Sequence, residues 1–106
     1  MHCMSPNFGI DANFIGCTLV TQLYSLIGLK IAPLEGATFV IYKVDGGQNV
    51  AKVSDRFEIT GSLRTTTMDS FNRMKETIIS LSENLCSAYG AKKPEIKFGK
   101  GISNLI

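Results

Sequence analysis

The stretch from Thr38 to Thr66, TFVIYKVDGGQNVAKVSDRFEITGSLRTT, decides the fold: two extended runs are joined by a loop that opens on Gly46-Gly47. In the second run Phe57, Ile59, Gly61 and Leu63 alternate with Arg56, Glu58, Thr60, Ser62 and Arg64. That is the period-two pattern of a strand with one buried face. Arg64 therefore lies on the side turned away from the core. A guanidinium held on a strand offers a planar fork to a carboxylate or phosphate, and a solvated arginine paired with a neighbouring glutamate is the ordinary alternative.

Upstream, Ala12 to Leu29 carries no charged residue. Its length raises a membrane span or a signal peptide, but it contains Asn13, Thr18, Thr21, Gln22, Ser25 and two glycines, and no basic segment precedes it. It reads as a buried helix, with no membrane partner. Asp11 suits its N-cap, and Gly28 and Pro33 are expected to end it. Ile15, Leu19, Leu23 and Leu26 make one apolar stripe, and Cys17, Val20, Tyr24 and Ile27 a second beside it. A surface that wide packs against more than one layer, here the sheet of its own domain and another chain.

Ala37 to Val44 follows as a strand, then the 46–54 loop, then the strand Arg56 to Thr66. Thr67 or Asp69 caps a second helix, whose buried stripe is Phe71, Met74, Ile78, Leu81, Leu85 and Ala88. Gly90 is placed as a left-handed C-terminal cap, and Glu95 to Phe98 reads as a last short strand. The order helix, strand, strand, helix, strand is that of a ferredoxin-like α+β plait of two layers, with an antiparallel sheet and both helices on one face. Its first strand is expected either to be absent from this chain and supplied from before Met1, or to survive as a stub at Met1 to Ser5.

At 106 residues the chain is read as one domain, and a net charge of +2 with 19% charged residues gives no pull toward nucleic acid. Gly36 to Tyr42 superficially follows the RNA-recognition motif of the same plait, but it lacks the leading basic residue and the first stacking aromatic, and it lies one strand too early. Cys3, Cys17 and Cys86 are scattered, which suggests neither a disulfide framework nor a zinc knuckle and fits a reducing, cytoplasmic setting. His2 is the one histidine, so no histidine-based metal cluster is assembled here.

Three segments together resemble the lid, or dimerisation, domain of the two-zinc metallopeptidase and amidohydrolase family that includes aminoacylase, hippurate and auxin-conjugate hydrolases, carboxypeptidase G and succinyl-diaminopimelate desuccinylase. His2-Cys3-Met4-Ser5-Pro6-Asn7-Phe8-Gly9-Ile10-Asp11 has the spacing of the family's H-A-S-x-P-H-x-G-x-D. Gly46, Gly47, Asp55, Gly61, Arg64 and Thr65 fall in register with a later segment, roughly G-G-x-x-x-N-V-I-P-D-x-x-x-x-x-G-x-x-R-T. The helix ending Ala88-Tyr89-Gly90 and the strand after it are also similar.

The resemblance implies that residues 1–106 are a single lid/dimerisation domain cut from a longer zinc hydrolase acting on N-acyl amino acids or small peptides. It implies a catalytic role for His2, reaching into the partner subunit's active site, and a substrate-binding role for Arg64 on the substrate carboxylate. The family asparagine falls on Ala51, with Asn49 two residues away as the substrate-binding candidate; Ser54 stands for the family proline and Asn7 for its second histidine. No metal ligand is implied in this chain. The zinc belongs to the parent's catalytic domain, itself an implied partner, and the isolated chain should be inactive. A homodimer is expected through the edge strand 37–44 and the helix 12–29. The alternative is a stand-alone plait that pairs through that edge or senses a small ligand, with RNA binding behind it.

Overall fold

A computed structural model of the chain describes residues 2–4, 11–46 and 56–99. Four strands, β1 (His2–Met4), β2 (Thr38–Asp45), β3 (Glu58–Arg64) and β4 (Glu95–Lys97), form one antiparallel sheet in the order β2-β3-β1-β4. Helices α1 (Ala12–Glu35) and α2 (Met68–Ala88) complete a ferredoxin-like α+β plait. The first strand is thus not missing. His2–Met4 supplies it in the middle of the sheet, between β3 and β4, which corrects the expectation of an absent strand in favour of the stub. Three residues suffice because both flanks of β1 are paired, His2 with Thr60 and Lys97, and Met4 with Glu58 and Glu95.

α1 also departs from expectation. It starts where Asp11 accepts a hydrogen bond from the Asn13 N–H at 2.9 Å, but neither Gly28 nor Pro33 stops it. α-Helical winding over Ala12–Gln22 gives way to π-helical winding over Leu23–Ile31, and an α-turn, Ala32–Glu35, closes the helix. At the junction the Ala32 N–H bonds to the Ile27 carbonyl, and Pro33 stands in the first turn of the closing segment, where a missing N–H costs least. Gly36, at φ 64°, provides the left-handed cap. The wide winding redraws the buried stripe as Ile15, Leu19, Leu23, Ile27 and Ala32, whose steps lengthen from four residues to five. Leu26 and Val20 are only half-buried, and Cys17 and Tyr24 are exposed.

The core lies between this stripe, the inner residues Phe39, Phe57 and Ile59, and Met74 and Ile78 of α2. Each fully buried Leu or Ile stabilises the layer contact by roughly 1.5–3 kcal/mol. α2 begins where the Thr67 hydroxyl accepts from the Ser70 N–H at 3.1 Å, and it ends before Gly90 at φ 74°. Its stripe includes Cys86, which the spacing did not single out, while Ala88 is exposed.

A clamp joins the end of α1 to the start of α2. The Arg73 Nε and Nη2 donate to the Glu35 carboxylate at 2.9 and 2.8 Å, and the Ser70 hydroxyl donates to it at 2.6 Å. The hydrogen bonds from Arg73, then that from Ser70, hold the Glu35 carboxyl at about 2.

Candidate functional site

The alternation of β3 sorts its residues cleanly. Phe57 just before it, then Ile59 and Gly61 within it, are buried, while Arg64 at its end is exposed on the other face. β2 lies alongside at the sheet edge, with Thr38 opposite Arg64 and Val40 opposite Ser62. These four residues line a shallow cleft of about 310 Å³. The strand end that carries Arg64 is fixed by its neighbour: Thr65 is buried and its hydroxyl donates to the Thr67 carbonyl at 3.0 Å, closing the turn into α2.

Among the described residues Arg64 makes no ion pair; Arg56 pairs with Glu58 at 2.9 Å and Arg73 with Glu35. The ordinary fate of a strand arginine therefore falls to Arg56. Arg64 keeps its donor fork turned to solvent beside the Thr38 and Ser62 side chains, an arrangement suited to a planar oxyanion such as a carboxylate. Ser62 shares Arg64's face by period two and was legible in the sequence. Thr38 became visible only with the register.

The backbone of His2 pairs with Thr60, four residues along β3 from Arg64. At about 3.4 Å per residue the two register lines are roughly 14 Å apart, so this chain does not bring positions 2 and 64 together at contact distance. Asn49, with Ala51, Ser54 and Asn7, lies outside the described residues. Gly46 follows β2 beside α1, where a Cβ would meet Asn13 Oδ1, the end of a side chain that can turn aside. Among the described residues no group of three His, Cys, Asp or Glu side chains is arranged to hold a metal ion. With one histidine in the sequence, these residues do not fit a two-metal centre.

No family model matches the chain. Its sequence is 31% identical over 98 residues to the N-acetyldiaminopimelate deacetylase of Geobacillus sp. (strain WCH70), covering 92% of this chain and 26% of that protein. Its relatives are amidohydrolases, and the matched part is consistent with the dimerisation domain that the sequence resembles. The N-acetyl-L-cysteine deacetylase of Bacillus subtilis is 24% identical over 91 residues, 86% of this chain and 22% of that one. Solved structures share the fold of this chain. An aminohydrolase candidate from methicillin-resistant Staphylococcus aureus superposes with a TM-score of 0.76 at 24% identity, over 89% of this chain and 27% of its own. The Bacillus subtilis YxeP protein, a dinuclear metal-binding peptidase of the M20 family, superposes with a TM-score of 0.70 at 20% identity, over 91% and 24%. The chain thus spans about a quarter of the length of the curated relatives it matches.

Proposed function

We propose that this domain is the lid and dimerisation unit of a cytoplasmic, zinc-dependent amidohydrolase that acts on N-acyl amino acids or small peptides. In this reading the metal is held by the parent's catalytic domain, and Arg64 orients the substrate by its carboxylate, with Asn49 beside it. His2 crosses to the partner subunit's active site, where an imidazole N–H is a plausible donor to a developing oxyanion. Two copies associate through the edge strand 37–44 and the helix 12–29.

The observation that carries the reading is the Arg64 fork, without an ion-pair partner among the described residues and flanked by Thr38 and Ser62. The names of the relatives agree in chemistry: N-acetyldiaminopimelate and N-acetyl-L-cysteine both set a free carboxylate beside an acylated amine. The separation of positions 2 and 64 within one chain is consistent with their serving different active sites. Kinetics of the full-length protein on an N-acyl amino acid and on its uncharged carboxamide test the assignment. Arg64→Ala should raise KM strongly for the acid and little for the amide. Equal effects on the two substrates would remove Arg64 from carboxylate binding.

A further inference from the structure

Tyr24 lies in the π-wound part of α1, with its ring edge-on to Phe39 at 6.0 Å between centroids and 72° between planes. Its hydroxyl reaches over to the edge strand β2. There it accepts the Ile41 N–H at 2.9 Å and donates to the Ile41 carbonyl at 3.0 Å. Gly28 gives the ring room along the helix, since a Cβ at that position would come within 3.3 Å of Tyr24 Cδ1. The residue expected to break the helix instead seats this tyrosine.

An amide has one hydrogen, and that of Ile41 is spent on Tyr24 rather than on the ladder with β3. The N–H and C=O of a strand residue point to the same side, so Ile41 belongs to the outward row of β2, the row a further strand would use. The β2–β3 register shifts between Ile41 and Lys43, which sets this point at a bulge. Around it Val40, Tyr42 and Val44 are exposed, and α1 beside it carries no charge from Ala12 to Leu29. On this side the charges, Lys43 and Asp45, lie on the strand, and the helix adds none as far as Leu29. A second copy of the chain fits this side, because two such surfaces meet about a two-fold axis without setting like charges against each other along the helix.

We propose that the Tyr24 hydroxyl is a removable plug on the open edge of β2, which a second copy must displace before its own β2 can pair there. The plug rests on the self-association reading above and adds to it a control on that association. A hydroxyl is suited to the task because it both donates and accepts, as a strand residue does. The isolated edge is satisfied and blunted, and pairing takes place only when the partner strand offers more than the two bonds lost.

Sedimentation of the full protein carrying Tyr24→Phe tests the plug, because phenylalanine keeps the ring against Phe39 and removes only the hydroxyl. Self-association should tighten about tenfold, or about 1.4 kcal/mol, and in dilute protein the Ile41 amide should exchange with deuterium faster than in the wild type. Unchanged or weaker association of the variant overturns the plug. So does an Ile41 amide that exchanges freely in the dilute wild type, a measurement that needs no variant to fold. If the wild type stays monomeric while Tyr24→Phe pairs, the plug stands and the self-association reading of the natural chain fails. If both pair equally, the reading stands and the plug fails.

Discussion

Gly16 of α1 lies so close against the ring of Phe57 that a Cβ on it would overlap ring atoms Cδ1, Cγ and Cε1. Phe57 is 5% exposed, packed in the core cluster. Gly16→Ala should therefore destabilise the fold although alanine is the better helix former by about 1 kcal/mol. Overpacking costs on the order of 1–3 kcal/mol before that gain is set against it, and with three ring atoms overlapped the upper end outweighs it, a fall of several degrees in Tm. Gly99→Ala is the control, since nothing lies within 4 Å of a Cβ there. Thermal unfolding of the two variants side by side makes the comparison, and equal melting would contradict the packing argument.

The Glu35 clamp predicts a pH dependence with a definite sign. Folding lowers its carboxyl from 4.5 to about 2, so the ion pair with Arg73 adds stability that is fully present above about 4.5 and is lost as the pH falls toward 2. Wild type should melt above Glu35→Gln at neutral pH, and the gap should close between pH 4.5 and 2. A constant gap across that window would mean the glutamate contributes by packing and not by charge.

Under the proposed dimer, Val44→Lys should weaken self-association by tenfold or more, because an edge lysine desolvates poorly where a second strand must pair. Val44 is 52% exposed in the single chain, so the same change should leave Tm nearly unaltered. Light scattering over a concentration series reads the first effect and calorimetry the second; a large loss of Tm would assign Val44 to the core instead.

Subunit mixing tests the crossing of His2. If His2 acts as proposed, His2→Ala in the full-length protein should lower kcat on the order of a hundredfold, as loss of one oxyanion donor does. A second variant, with ruined metal ligands in the catalytic domain, is inactive but keeps His2. A heterodimer of the two should regain one working site of two, and exchange of subunits with no return of activity would show that His2 does not act in trans.

Local chemistry made much of this fold legible. Period two placed Arg64 outside and Ile59 inside, and Asp11, Thr67 and Gly90 cap the helices as their side chains and backbone freedom dictate. β1 was harder, because His-Cys-Met is too short to show a period and its place in the sheet follows from pairing on both sides. Gly28 and Pro33 misled because they are breakers by local rule, whereas a ring packed over one and a change of winding at the other accommodate them. In the candidate site, Arg64 and Ser62 follow from alternation alone. Thr38 joins them only through cross-strand register, and the hydroxyl of Tyr24 at Ile41 depends on helix phase, which no residue count in a uniform α-helix would give.

The change of winding within α1 also fixes the angular setting of everything after it. Each residue of an α-helix turns its successor by about 100°. The wide winding takes up one residue more than uniform α-helix would: deleting one between Ile27 and Ala32 and letting the segment tighten would restore a step of four and leave Ala32 in the core and Glu35 on Arg73 and Ser70, whereas tightening without the deletion would turn both away. The nine wide-wound residues act as a phase adjuster, matching a helix that begins over β3 to a clamp that must close on α2.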